Sequence, residues 1–136
     1  MAEPPRTQRI YRLRLCRLCG LKAKHLWGAV LLGTHLLKHW ASTQKKITLS
    51  SGEAELGAVV RGFSEVLGIQ SVARDLGVEL QPEVHADSSA AIGICRRCGI
   101  GKVRHLAVAQ LWVQDLVRSK ACRLHKVLGQ RTQQTL

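Results

Sequence analysis

Acidic side chains are scarce in this sequence. Nine aspartates and glutamates stand against 21 lysines and arginines, giving a formal charge of +12 and a pI near 10.3. No aspartate precedes Asp75, and beyond Asp87 the only acid is Asp115. Such an imbalance points to a polyanionic partner, nucleic acid first; the plainer alternative is a solvated basic face. An even cysteine framework is also missing. Five cysteines and no secretory signal exclude a disulfide-stapled secreted domain and imply reduced thiols in an intracellular setting. Long apolar runs are absent too. The longest, Leu26 to Leu37, is interrupted by Thr34 and His35 and is too short to span a bilayer, so no membrane partner is expected. No internal repeat is present.

What remains is a chain of 136 residues, suited to one domain, whose 46% hydrophobic content can supply a core and argues against disorder. Residues 1–27 form a distinct basic segment. Pro4 and Pro5 discourage regular structure there, and Arg6, Arg9, Arg12, Arg14, Arg17, Lys22 and Lys24 face only Glu3. Serine is missing from its first 25 residues, which disfavours a targeting peptide. A basic arm that grips phosphates is one reading; a segment in a disrupted reading frame is another.

From Gly28 to Gly33 and Leu36 to Trp40 the pattern predicts two strands around a Gly33-Thr34 turn. Ile47 to Leu49 leads into Ser-Ser-Gly-Glu-Ala-Glu, where Ser50 and Glu53 have the spacing of a capping box at a helix start. Leu56, Val59, Val60, Phe63, Val66 and Leu67 then recur at helical intervals, building one apolar face that should stop near Gly77. Glu53 thereby has a structural task. Glu55 has none, beyond an acid's favourable place near a helix N-terminus. A short strand over Glu83 to Asp87, a helix from Ser88 to Cys95, a loop to Gly101, a helix from Val103 to Ser119 and a strand from Ala121 to Leu128 complete the expected order. Asp87 lies where strand gives way to helix, a usual place for a ligand in an α/β sheet; an N-cap is its alternative role.

Three segments together carry a resemblance. Trp40-Ala-Ser-Thr-Gln-Lys-Lys-Ile-Thr-Leu-Ser-Ser-Gly-Glu-Ala-Glu-Leu resembles the "W-S-S-x-Q-x-x-x-x-L-S-S-x-E-A-E" segment of the ribonuclease H domain of copia-type retrotransposon Pol polyproteins. His85-Ala-Asp-Ser-Ser-Ala-Ala-Ile is similar to that family's "x-x-D-N-x-S-A-I", and Arg104-His-Leu to its "K-H-I". The order and spacing hold from about Gly28 to Leu128. The resemblance implies an α/β fold, a ribonuclease H-like mixed sheet flanked by helices over residues 28–128, with its first, central strand and last helix degraded or missing. It also implies endonucleolytic cleavage of the RNA strand of RNA–DNA hybrids, in a domain ancestrally tethered to a reverse transcriptase.

That chemistry uses paired magnesium ions held by converging carboxylates. The family places them on the first strand, the first helix, the end of the fourth strand and the last helix. Glu55 and Asp87 match the second and third and are the candidate catalytic and metal-binding residues. The other two are missing, so the chain is expected to be inactive as written. Read one base forward, Ile10 to Cys19 can encode Y-T-D-S-D-F-A-G-C-A, which carries the family's first-strand aspartates. Read from the third base of Arg131, the tail at 129–136 can encode N-P-A-D-L, the family's last motif. Frame disruption at both ends therefore accounts for both losses. The central strand as written would also bury Arg12 and Arg14 opposite Tyr11, Leu13 and Leu15, which predicts a damaged fold.

Two alternatives to a nuclease remnant stand beside it. Arg96, Arg97, Lys102 and Arg104 cluster around the loop after Cys95 and would suit a nucleic-acid backbone, consistent with a non-catalytic basic binding module. Cys16-Arg-Leu-Cys19 and Cys95-Arg-Arg-Cys98 each have the spacing of half a zinc knuckle, consistent with a zinc-binding structural module. Yet the pairs are far apart, and Cys95 falls on an apolar helix face, where cysteine is an ordinary small hydrophobe. His85 and His105 are read as packing residues rather than catalysts.

Overall fold

A computed structural model describes residues 11–16, 25–43, 50–99, 101 and 111–127. The chain runs β1 (Tyr11–Cys16), β2 (His25–Leu32), β3 (His35–Thr43), α1 (Ser51–Asp75), β4 (Leu80–Ala86), α2 (Ser89–Arg96), α3 (Trp112–Arg118) and β5 (Arg123–Lys126). The five strands form one sheet in the order β3-β2-β1-β4-β5. β1, β4 and β5 are parallel, while β2 and β3 are antiparallel to their neighbours. This is the mixed α/β, ribonuclease H-like arrangement that the resemblance implies, with β1 at the centre. The expectations for 47–49, most of 103–111 and the tail at 129–136 lie outside the described residues.

Helix α1 forms where its periodicity predicts. Ser50 caps it, its hydroxyl accepting the Glu53 N–H at 3.3 Å. At the other end Val78 N–H bonds Ala73 C=O at 2.8 Å and Gly77 N–H bonds Arg74 C=O at 2.9 Å, the paired bonds of a Schellman motif. Gly77 supplies the φ of +75° that this stop requires. Leu56, Val59, Phe63 and Val66 are fully buried against the sheet, while Val60 packs at the margin of the core.

Strand β4 explains the layering. Leu80, Val84 and Ala86 join Val30, Leu124, the α1 stripe, Ala91, Ile92, Ile94 and Cys95 of α2 and Val113 of α3 in one core. The three helices among the described residues therefore pack on one face of the sheet. Alternation along a strand sends Glu83 and His85 to the opposite face. Trp112, Leu116 and Val117 lie at the core's edge.

One expectation is corrected. Arg12 is not buried in the central strand: its side chain is 58% exposed, and its guanidinium Nε lies 4.0 Å from Glu83. A long arginine stem can cover apolar surface while its charged end reaches water and an acid, so the strand tolerates an arginine at this position. The side chain of Arg14 lies outside the described residues. No helix among the described residues is long and apolar enough to cross a membrane.

Candidate functional site

Two elements present the matched carboxylates. Glu55 is half-buried near the start of α1, and Asp87 immediately follows the last residue of β4, with its Oδ1 shielded from solvent. The helix starts behind them abut: a Cβ placed on Gly52 of α1 would stand 3.2 Å from the Ala90 Cβ of α2. The fold thus brings the first turns of α1 and α2 together at the end of β4. Capping does not fall to Asp87. Ser88 caps α2, its hydroxyl accepting the Ala91 N–H at 3.1 Å, so the alternative role belongs one residue later. Glu53 is buried, and its backbone N–H serves the cap of α1.

The donor set does not fit a paired-magnesium site. Strand β1 reads Tyr-Arg-Leu-Arg-Leu-Cys and offers no carboxylate beside β4. Among the described residues no three histidines, cysteines, aspartates or glutamates are grouped so as to hold a metal ion. Small hard cations need several oxygen ligands converging on one point, and two carboxylates leave that shell short.

The basic loop is more tightly held than its sequence suggests. Arg96 Nη2 donates to the Leu124 carbonyl of β5 at 3.2 Å. Arg97 is half-buried, and its guanidinium carbon lies 2.8 Å from where a Cβ on Gly101 would stand. Lys102 and Arg104 lie outside the described residues. The loop's other anchor is Gln114 of α3, which is buried. Its amide nitrogen donates to the Ile94 carbonyl at 2.8 Å and the Gly99 carbonyl at 3.0 Å, and its oxygen accepts the Gly99 N–H at 3.1 Å. Nothing in the local sequence marks Gln114, because its partners lie fifteen or more positions away.

Two cysteines, Cys95 and Cys122, are packing residues. Cys95 is buried in the core, and burial pushes its thiol up to about 11. Cys122 is also buried, and desolvation followed by the charge of Glu83 raises its thiol to about 12. Cys98 is exposed, with Arg118 Nη2 at 3.3 Å from its sulfur. Cys19 lies outside the described residues.

A charged cluster on the sheet face away from the helices was not anticipated. Glu83 has a side chain only 5% exposed, with Arg123 Nη1 at 3.5 Å, Arg12 Nε at 4.0 Å and His85 Nε2 at 3.7 Å. The His85 ring stacks on His125, centroids 5.0 Å apart. Strand alternation could have put Glu83 and His85 on one face. Their neighbours follow only from the β4–β5 register, which sets Glu83 opposite Arg123 and His85 opposite His125.

Comparison with known proteins gives the arrangement its context. No family model matches the chain. Two Arabidopsis thaliana proteins, the retrovirus-related Pol polyproteins from transposons RE2 and RE1, are each 30% identical to it over 98 residues, 70% of its length. The chain spans only 7% of either polyprotein. This similarity supports an origin in a retrotransposon Pol polyprotein.

Proposed function

We propose that the chain is a remnant of the ribonuclease H segment of a retrotransposon Pol polyprotein, which keeps the scaffold and half of the carboxylates but does not cleave. Its ancestor would have been tethered to a reverse transcriptase and would have cut the RNA strand of RNA–DNA hybrids with magnesium. The observation that carries this reading is the pairing of strand order with residue placement. Glu55 sits at the start of α1 and Asp87 at the end of β4, while β1 between β2 and β4 lacks any acid. What remains for the chain is association with a hybrid or another nucleic acid, supported by its charge of +12.

The test is a cleavage assay on an RNA–DNA hybrid. The chain as written should release no product above background when magnesium is added. A repaired chain, with residues 10–27 replaced by their forward-frame reading and the tail continued through N-P-A-D-L, should cleave. In that background Glu55→Gln or Asp87→Asn should abolish cleavage, whereas Glu53→Gln should leave it standing. Robust cleavage by the unrepaired chain, or a repaired chain indifferent to Glu55→Gln, would overturn the assignment.

A further inference from the structure

The turn that follows α2 is built in advance of any partner. Its path from Arg96 to Gly99 is held first by Gln114, which closes three hydrogen bonds onto Ile94 and Gly99. Gly99 needs this support, since its φ of +78° sets the chain direction out of the turn. A second tie runs from Arg118, one turn further along α3, to the Cys98 sulfur. A third runs from Arg96 to the β5 backbone. Only a primary amide satisfies both Ile94 and Gly99 carbonyls and the Gly99 N–H at once. A carboxylate could accept from Gly99 but would face two carbonyl oxygens.

We infer that Gln114 is a positioning residue that holds the basic turn Arg96–Gly99 in a preformed shape for contact with a nucleic-acid backbone. The inference rests on the proposed role of that turn in binding. Its physical content is preorganisation: a turn already ordered loses less entropy when it meets phosphates, so its affinity depends on Gln114 without contact between the two. Gln114 is itself buried, and its hydrogen-bond partners in the turn are backbone groups.

Three measurements test it on the full chain, with an RNA–DNA hybrid of defined sequence as the probe. Amide hydrogen exchange at Gly99, whose N–H donates to Gln114 Oε1, reports the order of the turn. Alkylation of Cys95 and Cys122, which are buried, reports global unfolding. Gln114→Leu should speed Gly99 exchange at least about tenfold while Cys95 and Cys122 stay protected, and weaken hybrid binding several-fold. Arg96→Ala with Arg97→Ala should weaken binding comparably, and adding Gln114→Leu to that pair should cost little more, the signature of coupled residues. Gln114→Glu supplies the independent arm should the leucine variant not fold. Its neutral acid can donate one bond, whereas its carboxylate donates none and repels two carbonyl oxygens. Gly99 exchange, taken relative to the intrinsic rate at each pH, should therefore be slow at low pH and rise as the acid ionises. Unchanged Gly99 exchange in Gln114→Leu, or a pH-independent ratio in Gln114→Glu, would overturn the positioning role. So would intact binding by Gln114→Leu when the arginine pair loses it. If the arginine pair binds normally while Gly99 responds as expected, the binding role of the turn is what fails, and the inference falls with it.

Discussion

Glu83 should be easier to remove than the cations around it. Its side chain is 5% exposed, whereas those of Arg12 and Arg123 are 58% and 53% exposed. Two unit charges about 4 Å apart attract by about 1 kcal/mol in water and about 4 kcal/mol at an effective dielectric near 20. With more than half of each guanidinium side chain in solvent, each pair belongs at the low end, about 0.2–1 kcal/mol. Keeping the carboxylate out of water costs several kcal/mol, of the same order as everything it gains. Glu83→Gln keeps the shape and surrenders both terms together, so stability should move by less than about 2 kcal/mol. Replacing Arg12 and Arg123 together by methionine keeps much of the apolar stems but withdraws the compensation from a charge that stays buried. That loss should be the two half-exposed pairs together, about 0.4–2 kcal/mol. Urea titration separates the two: at about 1–3 kcal/mol per molar, the double variant's midpoint should drop by up to about 2 M and that of Glu83→Gln by less than the double variant's. If Glu83→Gln proves the more damaging change at an unaltered slope, the carboxylate contributes far more than its geometry warrants and this reasoning is wrong.

Two further outcomes follow from packing and titration. Gly28→Ala should destabilise by about 1–3 kcal/mol, because the added Cβ would stand 2.5 Å from the Trp40 ring on the neighbouring strand; thermal unfolding followed by tryptophan fluorescence reads this directly. Alkaline pH should weaken the fold through Cys95 and Cys122. Their thiols are raised in the folded chain, to about 11 and about 12, so the native state binds more protons than the unfolded chain above about pH 9. Their contribution is intact below pH 9 and is lost as pH rises through 11 and 12; a Cys95→Ala, Cys122→Ala chain that shows the same alkaline loss would contradict this.

Much of the scaffold was legible because it rests on local rules. The three- and four-residue spacing of Leu56, Val59, Phe63 and Val66 specifies the buried face of α1, and Ser50 and Gly77 mark its ends in the only ways those residues readily can. The turn at Gly33-Thr34 and the alternation of β4 are equally local. Expectations failed where a long side chain or a distant partner decides. Arg12 looked buried because a central strand has two covered faces, but its stem is long enough to reach the solvent and Glu83. The alternative role of Asp87 as a cap went to Ser88, a one-residue difference that turn chemistry leaves open, since both residue types cap well. Gln114 carries no local signature at all, because its partners are the carbonyls of Ile94 and Gly99. Of the candidate site, the placement of Glu55 and Asp87 on neighbouring elements was readable from motif spacing, and the charged cluster around Glu83 was not.

The central place of β1 has a consequence for the order in which the chain can be assembled. Tyr11 lies opposite Leu80 in a parallel ladder, whereas β2 and β3 close on each other through a two-residue turn. The hairpin and α1 can therefore organise from near neighbours, but the middle of the sheet must wait for a contact that spans half the chain. On a ribosome moving at about 5–20 residues per second, roughly 3–14 s separate the synthesis of β1 from that of its parallel partner. Throughout that interval one edge of β1 has no strand of its own to pair with, and an open edge is a template for any other chain. The sequence Tyr-Arg-Leu-Arg-Leu-Cys makes that strand cationic, and repulsion between nascent copies is then a kinetic safeguard at the time when the strand is most exposed.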